Sequence, residues 1–290
     1  MKICLRCEQR FEARDWTCPA CGHEPERKDG LLLFAPELDW KVDDFDARWF
    51  PRLAAREAAS FWFRSRNRLI VWALTRHFPS ARNLLDVGCG TGFVLAGIAE
   101  AVAPLTLQAG DAQSSGLAFA RDRVPRAQLY QLDARSLPFD REFDVVGAFD
   151  VIEHLDDDAR VLAQMWRAVR PGGGALITVP QHRWLWSAED DAGGHKRRYT
   201  RRELVDKMER AGVSVERVTS FVSVLLPLLA ASRLRGRVGM RYAPDASVAL
   251  SLPRSLDRLL ETAMTAERAL VRRGRSLPAG GSLLLVARRS

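Results

Sequence analysis

The chain has 290 residues, 47% of them hydrophobic and 28% charged, with a formal net charge of +8. That length holds one large core with chain to spare for a small module, and the composition is that of an ordinary globular protein. The longest apolar run, Phe221 to Ala231, is broken by Ser223 and Pro227 and cannot span a bilayer, and Met1-Lys2-Ile3-Cys4 opens no secretory apolar segment, so the expected location is the cytoplasm.

Four of the five cysteines fall within the first 21 residues, as Cys4-x-x-Cys7 and, ten residues on, Cys18-Pro19-Ala20-Cys21-Gly22. Zinc takes four ligands at tetrahedral geometry, and two thiolates two residues apart chelate one edge of that tetrahedron. Residues 1–30 therefore read as a structural zinc knuckle held by Cys4, Cys7, Cys18 and Cys21. His23 reads as a surface residue, because four thiolates leave no position open.

Residues 36–79 follow, rich in arginine and in aromatics: Trp40, Trp49, Phe50, Phe61, Trp62, Phe63 and Trp72. Leu53 to Phe78 contains neither Pro nor Gly and predicts one helix. Residues 80–220 alternate apolar runs (Asn83–Val87, Leu105–Ala109, Ala127–Gln131, Phe143–Phe149, Ala175–Val179) with helical stretches (Phe93–Ala103, Ser114–Arg123, Ala159–Val169). Such alternation predicts an α/β fold with a parallel sheet covered on both faces. His182 to Thr200 reads as a polar loop. Arg201–Ala211 reads as a helix ended by Gly212, and Val213–Thr219 and Ser282–Ala287 as further strands.

Between those last two strands lies a basic insert, residues 221–281. Only five of the chain's 44 basic residues are lysine, the bias of a GC-rich genome, so the net charge alone does not imply nucleic acid. Its placement says more, since the insert holds ten arginines and four acids. Leu256, Leu259, Leu260, Ala263, Met264 and Leu270 recur at helical spacing with arginines between them. This pattern fits a packing helix, the preferred reading, or an interfacial helix at the inner face of an anionic membrane.

The strongest motif is Leu84-Leu85-Asp86-Val87-Gly88-Cys89-Gly90-Thr91-Gly92, an apolar strand running into a glycine turn before a helix. A lone Gly-x-Gly is shared with dinucleotide-binding folds. Here Asp86 precedes it, and a carboxylate repels a pyrophosphate but suits a ligand with a cationic amino group. Cys89 reads as a small, partly buried residue rather than a nucleophile.

These nine residues resemble the first motif of class I S-adenosylmethionine-dependent methyltransferases, of the domain-11 type. Gln108-Ala109-Gly110-Asp111, Leu132-Asp133-Ala134, Phe143-Asp144-Val145-Val146 through Asp150-Val151-Ile152-Glu153-His154, and Arg170-Pro171-Gly172-Gly173 follow in the order of that family. The resemblance implies a doubly wound, mostly parallel seven-stranded Rossmann-like sheet. It implies a cofactor site from Asp86, Gly88, Cys89, Gly90, Thr91, Gly92, Asp111, Asp133, Ala134 and Asp150, with Asp111 on the ribose hydroxyls and Asp133 near the adenine amino group. One departure is Gly110-Asp111-Ala112-Gln113-Ser114, where the family usually has Ser and a small residue after the acid.

Ser60-Phe61-Trp62-Phe63-Arg64-Ser65-Arg66-Asn67 and His195-Lys196-Arg197-Arg198-Tyr199-Thr200 resemble a bacterial subgroup associated with cell-envelope, polysaccharide or polyprenyl biosynthesis. In that subgroup the aromatic helix caps the cofactor, and Arg64 or Arg66 meets the cofactor carboxylate. The candidate acceptor-side residues are His154, His195 and Tyr199, with Arg197 and Arg198 available to an acidic acceptor. The expected activity is methylation of a small or lipid- or sugar-linked acceptor, at oxygen. Two alternatives stand beside it: methylation of ribosomal RNA, and a catalytically silent partner docked through its knuckle. Asp150-Val151-Ile152-Glu153 in place of an Asn/Asp-Pro-Pro-aromatic motif disfavours the RNA-base reading.

Overall fold

A computed structural model describes residues 1–39, 47–237 and 253–289; Trp40 of the aromatic segment and residues 238–252 of the insert lie outside them. The cysteine segment forms a small antiparallel pair, β1 (Lys2–Ile3) and β2 (Arg10–Phe11). The chain then lays β3 (Glu26–Lys28) and β4 (Leu31–Leu33) onto the edge of the main sheet, followed by α1 (Phe50–Arg56) and α2 (Phe61–His77). The alternating portion is β5 (Asn83–Val87), α3 (Phe93–Ala101), β6 (Thr106–Asp111), α4 (Ser114–Arg123), β7 (Gln128–Gln131), β8 (Phe143–Phe149), α5 (Asp158–Ala168) and β9 (Val169–Pro180). It ends with α6 (Ala188–Ala192), α7 (Arg201–Arg210), β10 (Ser214–Phe221), α8 (Leu226–Arg237), α9 (Arg254–Arg272) and β11 (Ser282–Arg288).

The sheet order is β10-β11-β9-β8-β5-β6-β7-β4-β3. β4 through β9 run parallel, while β11 runs antiparallel between β9 and β10. The order reverses on either side of β5, which places the glycine turn at the point where open α/β sheets bind ligands. Successive residues of β5 alternate between faces, Leu84 entering one hydrophobic cluster and Leu85 the other. The helices cover both faces, so buried strands read as near-continuous apolar runs.

The expected seven strands are present, and two more extend them. Leu31-Leu32-Leu33 is too short a run to announce a strand, yet all three are buried and β4 pairs in parallel with β7. Consequently the knuckle is not a separate bead. Phe11, Trp16, Cys4 and Cys18 belong to the same buried cluster as Tyr130, Phe139 and Phe143.

Two further expectations change. The segment from Leu53 to Phe78 is not one helix: Ser60 is extended (φ −94°, ψ 126°), and α2 starts afresh behind it. The polar loop before Thr200 contains α6, whose capping box pairs Ser187 with Asp190.

The break at Ser60 has its cause in the insert. Asp257 on α9 accepts a hydrogen bond from the Phe61 N–H (2.7 Å), capping α2 from 196 residues away. Arg64 donates to Asp257 (2.5 Å) and to Glu261 (2.6 Å), and Arg68 also pairs with Glu261. Helix α9 of the insert thus packs on the aromatic helix, as the packing reading expects. Leu260, Met264 and Val271 face inward, while Leu256, Leu259 and Leu270 remain exposed. No helix among the described residues is long and apolar enough to cross a membrane. Replacing Asp257 with Ala removes a cap and leaves half-buried Arg64 short of a partner, which costs about 2 kcal/mol. Hydrogen exchange should then quicken both in α9 and in the first turn of α2; protection unchanged at Phe61–Ser65 would contradict the capping role.

Candidate active site

The site lies beyond the carboxyl ends of β5, β6 and β8. Gly88, Gly90 and Gly92 all take positive φ, at 72°, 51° and 74°. At Gly92 a Cβ would sit 2.7 Å from the Ala120 Cα, so only glycine lets α3 approach α4 this closely. Gly88 and Cys89 donate their N–H groups to the Gly110 carbonyl, which ties the turn to the end of β6.

Asp86 is the most telling group. It is 1% exposed, and neither carboxylate oxygen has a hydrogen-bond partner among the described residues. Burial pushes its carboxyl up to about 8, with the Arg66 guanidinium pulling the other way and Asp111 adding to the rise. A buried carboxylate without donors is costly unless a ligand supplies them.

Asp111 spans the turn, accepting from the Gly90 N–H at Oδ2 (2.9 Å) and the Gln113 N–H at Oδ1 (3.0 Å). Burial raises its carboxyl despite those bonds. Asp150 sits at positive φ (58°) at the end of β8 and pairs with Arg66, whose guanidinium also stacks on Trp62, 4.6 Å from the ring centroid. Arg66 is therefore the arginine that reaches the site, while Arg64 is held by α9. Cys89 remains a thiol, because burial, with Asp111 and Asp86 nearby, pushes it well above its ordinary range.

Two expected cofactor contacts also have partners within the chain. The Thr91 hydroxyl is buried and donates to the Glu57 carboxylate (2.7 Å), which Arg123 also holds (2.6 Å). This triad ties the segment before α2 to the glycine turn. Asp133 is engaged by Arg135 through its N–H (2.8 Å) and Nε (2.9 Å), and neighbouring Ala134 packs on the core.

On the acceptor side, His154 and His195 do come together, with ring centroids 4.7 Å apart at 83°. Burial and the neighbouring His195 push His154 down to about 4, so it is neutral at physiological pH. Nδ1 of His195 bonds Asp190 (2.8 Å). Against the pressure of burial, His195 and Arg198 hold the Asp190 carboxyl down at about 2. Glu153 is fully buried beside them, its two oxygens without partners among the described residues. Burial, with Asp150 close by, pushes it well above the usual carboxylate range.

Tyr199 does not join this group. It is buried with its hydroxyl donating to Asp158 (2.6 Å), and burial together with that bond pushes its pKa upward. A phenol so held is a structural strut rather than a base. Arg198 bonds Asp190, and Arg197 pairs with Asp158 (3.0 Å), so neither is left for an acidic acceptor. Glu153 is not among the sequence candidates, although an acid adjacent to His154 is an available signal. Nor are Asp190, one of three consecutive acids, Glu57, or Asp39, whose carboxylate caps α4 through the Ser114 N–H (2.6 Å).

The four N-terminal sulfurs converge as well. The Cys4–Cys21 and Cys7–Cys18 Sγ pairs are each 3.6 Å apart, and all four lie within 4.8 Å of one another. A tetrahedron with about 2.3 Å metal–sulfur bonds has edges of about 3.8 Å, so the donor set fits zinc. A cavity of about 430 Å³ opens near Arg76, Arg170 and Arg288, at the opposite end of the strands, and contains none of the glycine-turn residues.

Residues 85–177 match the family profile described as a methyltransferase domain. A Mycolicibacterium smegmatis protein described as a probable S-adenosylmethionine-dependent methyltransferase is 32% identical over 175 residues, 58% of this chain and 64% of the relative. A Mycobacterium tuberculosis protein so described is 34% identical over 124 residues, 42% of this chain and 43% of that one. The chain thus spans less than two thirds of these relatives. Among solved structures, a Haloferax volcanii complex with the Trm112 methyltransferase activator aligns over 83% of this chain and 96% of the other, at 17% identity and a TM-score of 0.54. Sheet order, glycine turn and the profile matched by residues 85–177 agree on a Rossmann-like methyltransferase fold.

Proposed function

We propose that the protein transfers a methyl group from S-adenosylmethionine to an oxygen of a small or lipid-linked acceptor. The observation that carries this reading is Asp86, a buried carboxylate without donors, set at the turn where a cationic amino group would supply them. Bound there, the cofactor supplies an electrophilic methyl on a sulfonium, a centre with a good leaving group. The chain's work is then to align and to exclude water. Arg66, freed from Asp150, would meet the cofactor carboxylate, and Asp111 the ribose hydroxyls. Trp62 and Phe63 roof the site. His195, fixed by Asp190, is the better placed base for an acceptor hydroxyl, since His154 is held too acidic to take a proton readily.

The acceptor class rests on the rim. Trp184, Val224 and Leu228 are 46%, 49% and 59% exposed, and they follow β9 and β10 at the same end of the sheet as the histidines. Exposed apolar side chains at that end favour a hydrophobic acceptor. The same reading makes the four cysteines a structural zinc site that braces the sheet edge.

The test is incubation of the protein with methyl-labelled cofactor and host lysate, followed by partition. Label is expected in the organic phase; label in RNA would replace this reading with the nucleic-acid one.

A further inference from the structure

Glu153, His154 and His195 offer three ligand atoms within 4.8 Å of one another, two imidazoles and one carboxylate. The donors come from separate segments. Glu153 and His154 follow β8, and His195 lies 41 residues on, brought back by the Lys196 N–H bonding the Glu153 carbonyl (2.7 Å). We propose that this cluster binds one first-row divalent cation on the acceptor side of the site.

Three features support a built site rather than chance proximity. Glu153 is 0% exposed, and its two carboxylate oxygens have no partner among the described residues, which is costly unless a cation compensates. His195 bonds Asp190 through Nδ1, leaving Nε2 as the ligating nitrogen. Asp190 is in turn fixed by Arg198 (2.8 Å) and by the Ser187 N–H (2.8 Å), and a carboxylate-braced histidine is the usual support of a metal ligand. His154 is likewise oriented, by the backbone of Gly193 and Gly194. The facing charges are the Asp150 carboxylate and the Arg66 and Arg198 guanidiniums. Arg66 is matched by Asp150 and Arg198 by Asp190, so a cation meets the unmatched charge of Glu153.

Two imidazoles and one carboxylate suit Mn(II), Fe(II), Co(II) or Zn(II) and leave positions for an acceptor oxygen. A hydroxyl ligated there would release its proton more readily to solvent, leaving a nucleophilic oxygen on the cation; His195 is then a ligand, and it acts as the base only in the cation-free protein. The inference rests on the methyl-transfer reading for its purpose, but not for its test.

The test is titration of Co(II) into the zinc-loaded full chain, read by visible absorption and calorimetry. One equivalent is expected, with weak ligand-field bands and no thiolate-to-cobalt charge-transfer band. Glu153→Gln and His195→Ala should each weaken binding at least tenfold. If Glu153→Gln fails to fold by circular dichroism, the half-buried His195 carries the comparison. Absence of binding up to about 1 mM, charge-transfer absorption alone, or unchanged affinity in His195→Ala would overturn the site. Cofactor binding is scored separately with Asp86→Asn, which should lose S-adenosylmethionine and keep Co(II). Cobalt binding in a chain that never binds the cofactor would uphold the cation site and overturn the methyl-donor reading.

Discussion

Replacing Asp86 with Asn should weaken S-adenosylmethionine binding about 100-fold, or about 2.7 kcal/mol, while making the ligand-free protein more stable. Both halves follow from one geometry. The Asp86 carboxyl is buried, lacks donors among the described residues and is raised to about 8. An unfolded aspartate has a pKa near 3.9, so between about pH 4 and pH 8 the unfolded chain has released a proton that the folded chain retains. Stability from this group is therefore fully present below pH 4 and lost as pH rises through about 8. The slope is up to about 1.4 kcal/mol per pH unit, lessened wherever the chain relaxes around the charge. Asparagine has no such slope. In urea unfolding without ligand, the variant should gain on the wild type by about 1 kcal/mol per unit from pH 5 to 7.5, then level off. Saturating cofactor should restore the wild type only. A variant that binds the cofactor with wild-type affinity would remove Asp86 from the site.

That contrast also marks where the sequence was legible. β5, β8 and α4 coincide with their sequence expectations at both ends, because strands buried on both faces read as unbroken apolar runs. The glycine turn was readable because its backbone needs glycine at defined places. What escaped depends on partners distant in the chain. Ser60 breaks the cap helix because Asp257 waits 196 residues away from Phe61, and no local signal of Gly or Pro records it. Tyr199, Arg197 and Arg198 are plausible catalytic types by identity, but Asp158 and Asp190 claim them. His154 and His195 were found as separate candidates. Their meeting, and the burial of Glu153 between two segments, emerges only when β8 and the loop after β9 are placed side by side.

Stripping metal from the four cysteines should destabilise the whole sheet, not only the first thirty residues. The reason lies in shared packing. Cys4 and Cys18 are themselves buried, and Trp16 between the two cysteine pairs packs edge-on against Phe34 (4.6 Å), Phe139 (5.7 Å) and Tyr130 (6.0 Å). Phe34 follows β4, and Tyr130 lies on β7, the strand that β4 extends. A hairpin of two two-residue strands cannot hold this arrangement unaided, so under the proposed zinc reading a bound metal would supply the closure. Its removal should cost about 3–5 kcal/mol, lowering the melting temperature by about 10 °C in a chain of this size. Cys18→Ser, at a buried ligand, should match the chelated protein. Replacing half-buried His23 with Ala should leave the metal-dependent stability unchanged, since four thiolates would already complete the shell. Tryptophan emission from Trp16 would shift to the red as its aromatic cage opens. If chelation moved neither that emission nor the global transition, the knuckle would be an appendage and not the brace of the β4–β7 edge. The consequence for activity is indirect but ordered: β4 leads into Asp39, and Asp39 caps α4 directly behind the Asp111 turn. Loss of the metal should therefore weaken cofactor binding without touching any residue that contacts it.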